Sequence, residues 1–381
     1  MDLLAIVLID SYVFGYVMKR VLVIITTDFE ITGGLTTVMM NYYRKLDKSI
    51  LHIDFASTNF IDAKLASELE AWGSKYFCLG DRKGHLFSYI SNLRNLLKNN
   101  DYDVVHVNGN SSTMIIESLT AKRSGVKSII CHTHTTRSEY PFIHMIFKPL
   151  FNKTFTKAIA VSDNAGKWLY NTPFVVLNNA IDTSKYKYDQ SARDKLRCYL
   201  NIQDRYVIGT VGKLTSSKNQ SFLLDVFSEY SKVDNKSVLV IAGGGPLEKA
   251  LKNKAIELGI NNRVIFLGMR SDIEEVIQAF DLFLFTSIYE GFGMVLVEAQ
   301  ASGLQCISSD TVPAETKVSN NINYLSLQDP INTWINSINS YKNDNSDRES
   351  RSIAAIQSIE NCGFSIDLEA RKLEKIYSSE N

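Results

Sequence analysis

The chain has no surplus of charge: 41 basic side chains are set against 41 acidic ones over 381 residues. A global nucleic-acid footprint needs a basic excess, so no nucleic-acid partner is expected, although a local basic patch is still allowed. Cysteine pairs of metal or redox spacing are also missing. Cys78, Cys131, Cys198, Cys306 and Cys362 are scattered, without a C-x-x-C, and most fall in apolar stretches. They read as buried, reduced thiols in a cytoplasmic protein. Long apolar runs are scarce. Residues 1–17 form one, but it carries Asp2 and Asp10, lacks a basic start and a small-residue cleavage site, and is slightly short for a membrane span. It reads as an N-terminal extension arising from a start assigned too early, with a membrane-associating helix as the second reading.

A chain of this length exceeds one ordinary core, so two domains are expected. Short apolar runs at 21–26, 52–57, 76–79, 104–108, 128–131, 158–161 and 175–178 alternate with helical patterns such as 35–46 and 89–97. That alternation predicts a parallel sheet covered on both faces. The pattern restarts with strands at 206–211, 237–242, 263–267, 282–285 and 306–308, after a crossover at 179–189. A polar stretch, 342–352, precedes further helical segments. The predicted domains are 18–182 and 183–364.

The most informative segment is 287–299, which follows the buried-strand pattern Leu282–Phe285. Glu290 and Glu298 flank a Gly291-Phe292-Gly293 turn and the start of a helix. The amides of Gly291, Phe292 and Gly293 would lie where a helix N-terminus offers unpaired N–H groups to an anion. Eight residues of helix would separate the acids by about 12 Å. Two acids with a phosphate-binding turn between them suit a sugar nucleotide, whose middle is diphosphate. Two solvated glutamates beside an ordinary turn is the plainer alternative.

Other segments fit the same ligand. Gly212-Lys213-Leu214-Thr215-Ser216-Ser217-Lys218 ends the strand at 206–211 and brings two ammonium groups to its C-terminal end. They could neutralise a departing diphosphate without a metal. Gly243-Gly244-Gly245-Pro246-Leu247-Glu248 fails as a dinucleotide fingerprint, because Glu248 replaces its last glycine. Gly244 and Gly245 are either ligand contacts or only a tight turn. Gly33 and Gly34 open a helix after the first strand, which allows close backbone approach. Cys131-His132-Thr133-His134 has two histidines on one strand face, but nothing nearby completes a metal site. Asp101-Tyr102-Asp103 spells D-x-D. It precedes a strand, whereas ligands bind beyond strand C-termini, so a structural role is expected and metal ligands are assigned as none.

The Glu290 to Glu298 pattern, with Ala299, Ala301 and Gly303 beyond it, resembles the Glu-x7-Glu signature of the retaining family 4 glycosyltransferases. The resemblance implies a GT-B fold: two Rossmann-like domains with parallel sheets facing across a cleft. It also implies a last helix, about 365–381, that returns to the first domain. The second domain would hold the donor, a UDP- or GDP-linked sugar, and the first would hold a glycan acceptor. Glu298 would take the ribose hydroxyls. Glu290, with Gly291, Phe292 and Gly293, would hold the sugar. Lys213 and Lys218 would meet the diphosphate, with Lys213 standing where the family usually has Arg. Gly34, Gly244 and Gly245 would lie beside the donor. His132, the first histidine of its pair, would be near the reacting groups, so Glu290, His132 and Lys218 are the catalytic candidates. Retention, no cofactor and no metal follow from the same likeness.

The segment 309–316 resembles enzymes of bacterial capsular and extracellular polysaccharide synthesis. That implies a lipid-linked acceptor at the inner membrane face. Phe147, Lys148, Phe151, Lys153 and Lys157 suit peripheral membrane contact, or equally a buried helix with solvated lysines. Two rivals stand beside this reading: a sugar-nucleotide epimerase and a catalytically silent GT-B partner subunit.

Overall fold

The computed structural model describes residues 18–31, 33–136, 138, 140–344 and 346–379; the extension 1–17 lies outside them. The chain forms two compact units, which divide after Asn179 and again after Ser365.

The first unit runs β1 (Lys19–Ile25), α1 (Gly34–Lys45), β2 (Leu51–Ser57), α2 (Ala63–Ala71), β3 (Tyr76–Cys78), α3 (Leu86–Asn99), β4 (Val104–Gly109), α4 (Ile115–Arg123), β5 (Ser128–Thr133), α5 (Pro141–Phe151), β6 (Lys157–Ala160), α6 (Asp163–Leu169) and β7 (Val175–Val176). Its seven strands are parallel and ordered β3-β2-β1-β4-β5-β6-β7. Strand order reverses between β1 and β4, the place in such sheets where the strand ends part and a ligand can enter. β1 is buried from Val21 to Ile25 because helices cover both of its faces. The C-terminal helix, Ile366–Ser378, belongs to this unit. Its Tyr377 hydroxyl meets His106 Nδ1 at 2.7 Å, and Glu369 accepts the Asn178 N–H at 2.8 Å.

The second unit runs α7 (Thr183–Tyr186), α8 (Gln190–Leu200), β8 (Tyr206–Val211), α9 (Gln220–Val233), β9 (Ser237–Ala242), α10 (Glu248–Glu257), β10 (Val264–Gly268), α11 (Ile273–Gln278), β11 (Leu282–Phe285), α12 (Met294–Ala301), β12 (Gln305–Ser309), β13 (Ile322–Leu325), α13 (Ile331–Lys342) and α14 (Arg348–Asn361). Six parallel strands are ordered β10-β9-β8-β11-β12-β13, with the reversal between β8 and β11. Alternate residues feed two cores: Ile208, Leu239, Ile241, Leu282 and Leu284 on one face, Val207, Val238, Val240, Phe283 and Phe285 on the other. The two-residue period of a strand with both faces covered produces this division.

Three expectations need correction. β13 carries no apolar run in the sequence and was not anticipated; it is a four-residue edge strand with Asn323 exposed. The stretch 342–352 is helical from Arg348, where the Asp347 carboxylate caps α14 by accepting the Ser350 N–H at 2.8 Å. Only Cys131 and Cys306 are buried, while Cys78, Cys198 and Cys362 are exposed.

Candidate functional site

The second unit gathers most of the candidates at the C-terminal ends of β8 and β11. Beyond β11 the chain passes through Thr286 and Ser287, both buried, into the Glu290 turn. Thr286 Oγ1 donates to Asn219 O at 3.0 Å, and the Ile288 N–H donates to Ser217 O at 2.8 Å. These bonds tie the Glu290 loop to the Lys218 loop, two segments far apart in sequence. Ser309 and Thr311 both donate from their hydroxyls to Ser287 O, at 2.5 and 2.6 Å, and fix it from the other side.

Glu290 and Lys218 form an ion pair, and the Ser287 hydroxyl donates to the same Glu290 oxygen at 2.7 Å. The Lys218 ammonium also lies 5.3 Å from the centre of the Phe285 ring. Lys218 is therefore not a free cation here: it shares its charge with Glu290. Its stem passes over Gly212, at 3.8 Å from where a Cβ would stand. Lys213, on the same loop, is exposed. The two lysines do flank one strand end, but in different states.

Gly293 has φ +94°, a left-handed conformation that ends the turn and lets α12 start at Met294. A Cβ there would also stand 3.3 Å from Val312 Cγ1. Among the described residues the N–H groups of Gly291, Phe292 and Gly293 have no acceptor, and no side chain caps the helix. These donors, with the positive end of the helix behind them, suit an anion. The Phe292 ring turns away and packs on Phe364, with centroids 5.1 Å apart, so only its backbone serves the turn.

Because Gly293 delays the helix, Glu298 is its fifth residue, about one turn in rather than two. The predicted 12 Å helical separation of the acids does not apply. Glu298 is partly accessible but densely surrounded. That burial pushes its carboxyl up to about 7, against a lowering hydrogen bond with Tyr186 and a further raising by the charge of Glu274. Neither Tyr186 nor Glu274 was found by sequence reasoning. They stand on α7 and α11, and no motif links them to Glu298.

Gly244 and Gly245 have a structural reason to be glycine. A Cβ on Gly245 would stand 2.6 Å from Leu214 O, and one on Gly244 would stand 2.8 Å from Met269 Cγ. Leu214 N–H donates to Gly244 O at 3.0 Å. This glycine turn packs against the Lys213 loop, which accounts for the residues without a ligand.

In the first unit Gly33 caps α1 and Gly34 is its exposed first residue, with no atom within 4 Å of a would-be Cβ. His132 is fully buried in β5, with neither ring nitrogen hydrogen-bonded. Burial, with His134 and His106 nearby, holds it well below the usual histidine range. As placed, the His132 ring is enclosed, with both nitrogens unpartnered. His134, just past the strand, is partly exposed; its Nε2 pairs with Asn108 Oδ1 at 3.0 Å, and its ring lies 4.1 Å from that of His132. Asp103 accepts the Arg20 N–H at 2.8 Å at the N-terminal end of β4, which is the structural role expected of the D-x-D.

An uncapped helix start between two acids, at the switch point of a parallel sheet, in a chain of two such sheets, is the arrangement that the resemblance to GT-B glycosyltransferases implies. The comparisons make the family definite. Residues 32–185 match the family described as Glycosyltransferase Family 4, and residues 193–358 match that described as Glycosyl transferases group 1. A Bacillus subtilis (strain 168) protein named Putative glycosyltransferase EpsF is 31% identical over 322 residues, covering 80% of this chain and 84% of that one. An Escherichia coli protein named UDP-Gal:alpha-D-GlcNAc-diphosphoundecaprenol alpha-1,3-galactosyltransferase is 28% identical, covering 65% of this chain and 68% of that one. Among solved structures, Anabaena HepE in complex with UDP and glucose superposes with a TM-score of 0.77 at 19% identity, covering 95% of this chain and all of HepE. The chain belongs to the family 4 (group 1) glycosyltransferases, which decides against the epimerase.

Proposed function

We propose that this enzyme transfers a hexosyl group from a nucleotide sugar, UDP-linked in preference to GDP-linked, to a lipid-linked glycan. The transfer retains anomeric configuration, needs no metal, and serves capsular or extracellular polysaccharide synthesis. The observation that carries the donor side is the Glu290–Lys218 pair beside the open amides of Gly291, Phe292 and Gly293. Those amides, with Lys218 and Lys213, meet the diphosphate. Glu290 takes the sugar hydroxyls and Glu298 the ribose hydroxyls. As the glycosidic bond breaks, negative charge grows on the diphosphate and Lys218 turns from Glu290 toward it. The acceptor hydroxyl attacks from the same face, and the departing phosphate oxygen takes its proton.

The UDP preference draws support from HepE, whose structures hold UDP and UDP-glucose. The lipid-linked acceptor draws support from the E. coli relative, whose name specifies a diphosphoundecaprenol substrate. The test is a panel of UDP- and GDP-sugars with polyprenyl-diphosphate-linked acceptors, the product anomer being read by NMR. Turnover of GDP-sugars alone, or an inverted product, would overturn the corresponding part. Activity should survive EDTA; complete loss restored by Mg²⁺ would refute the metal-free mechanism.

A further inference from the structure

α7, Thr183–Tyr186, is a single turn of helix, too short to hold itself, yet it is fastened on both sides. Before it, the Ile181 N–H donates to Phe364 O at 2.9 Å. After it, Lys187 O accepts the Gln278 side-chain N–H from α11 at 3.3 Å, and the Tyr188 N–H donates to Ser352 Oγ of α14 at 3.0 Å. Ser352 in turn donates its hydroxyl to Ala301 O, the last carbonyl of α12, at 2.6 Å. The turn is thereby locked to the helix that carries Glu298 and to the helix that carries Glu274, and it packs against both.

What this anchoring delivers is Tyr186. Its ring packs against both apolar clusters to which α12 contributes, one with Leu296 and Ala299, the other with Val297 and Ala301. A phenylalanine ring would fill that space equally well; the hydroxyl is what tyrosine adds. That hydroxyl hydrogen-bonds with the Glu298 carboxyl, and the Glu274 carboxylate acts on both. Burial raises the Tyr186 hydroxyl well above the usual phenol range, so it keeps its proton and donates it. The other elements packed on α12 bring no competing partner. On α14, Arg348 donates to Ser302 O and Arg351 to Gly303 O, both at 2.9 Å. Glu315 and Lys317, on the turn at 314–317, are exposed, and β12 brings the Cys306 thiol, which burial keeps protonated.

We propose that Tyr186 is a positioning residue for the donor: its hydroxyl holds the Glu298 carboxylate in the orientation that accepts the ribose hydroxyls. The proposal rests on the assignment of Glu298 to the ribose. An ionised carboxylate only accepts, so Glu298 serves best once its proton is gone. Tyr186 favours the ionised form and Glu274 opposes it. The two therefore set the pH above which the donor is held. The test is calorimetric titration of the full chain with UDP across neutral pH. Wild-type affinity should rise as pH passes through about 7, and Glu298→Gln should weaken binding and flatten that rise. Tyr186→Phe keeps the ring. It should weaken binding about tenfold at neutral pH, the worth of one hydrogen bond to a charged group, and move the rise to higher pH. Its kcat at saturating donor should match the wild type. Glu274→Gln should move the rise to lower pH. Added to Glu298→Gln, Tyr186→Phe should cost nothing further, whereas a merely structural defect would persist there. Wild-type affinity in Glu298→Gln would remove the ribose assignment, and this proposal with it. If Glu298→Gln does weaken binding, wild-type affinity in Tyr186→Phe, or its full loss again in the double variant, would overturn the role of Tyr186 alone.

Discussion

Glu298 and Glu290 sit in one motif but in different surroundings, and the difference predicts different kinetics. A ribose contact is much the same before and during reaction, so Glu298→Gln should chiefly raise donor KM. In the proposed mechanism Glu290 and Lys218 act where charge develops, so Glu290→Gln and Lys218→Ala should mainly lower kcat, by roughly a hundredfold. Because the two are bonded to each other, the double variant should lose less than the product of the single losses. If Glu290→Gln and Lys218→Ala both keep near wild-type kcat, the assignment fails and the silent-subunit reading gains ground.

Glu298 also carries a pH signature. Its carboxyl, raised from 4.5 to about 7, keeps its proton in the fold after the unfolded chain has lost it. The folded state therefore binds more protons between those values, and its stability falls as pH rises through that window. Glu298→Gln removes the effect. Its melting temperature relative to wild type should be more favourable at pH 8 than at pH 5, and a constant difference would refute the raised carboxyl. Donor KM should fall as pH rises toward 7 in the wild type and stay flat in the variant. Among the histidines, His132→Gln should lower the melting temperature, because it puts an amide at a fully buried site where the ring nitrogens have no hydrogen-bond partner.

At the scale of elements, Asp281 shows how β11 is aimed. Its carboxylate takes Arg193, Arg197 at 2.6 Å and the Val207 N–H at 2.7 Å, locking the start of β11 to β8 and α8. Asp281→Ala would leave two largely buried guanidinium groups unpaired, a loss of about 3–5 kcal/mol, to be read from the urea midpoint at constant slope. Strands of this kind were legible in the sequence because burial on both faces leaves unbroken apolar runs, as in Leu282–Phe285. β13 was not, since the exposed Asn323 interrupts INYL and leaves no unbroken apolar run. The Glu290 to Glu298 segment was legible as a motif, yet its geometry was not: the left-handed Gly293 takes four residues out of the helix that spacing alone would draw. Tyr186 and Glu274 were invisible because tertiary packing, not any local pattern, brings them to Glu298.

Over the whole molecule, exposure and unit boundaries make two further predictions. Native protein should titrate three fast thiols, Cys78, Cys198 and Cys362, and release Cys131 and Cys306 only on unfolding. Fast reaction of all five would contradict the buried pair. The second prediction concerns the C-terminal helix, which crosses back in sequence to complete the first unit. Its Ile366, Ala370, Leu373 and Tyr377 are buried, and Lys157 of β6 donates to Ile376 O and Ser379 O at 3.2 and 2.7 Å. Tyr377→Ala removes a fully buried ring together with the hydroxyl that meets His106, a loss of about 3–5 kcal/mol by analogy with other buried aromatic truncations. The damage should stay in the first unit, because each unit has its own core. Calorimetry with and without UDP separates the two: the transition that UDP raises should keep its temperature in the variant, while the other falls by several degrees. An equal fall in both would mean that the units unfold as one, and that the C-terminal helix stabilises the second unit as much as its own.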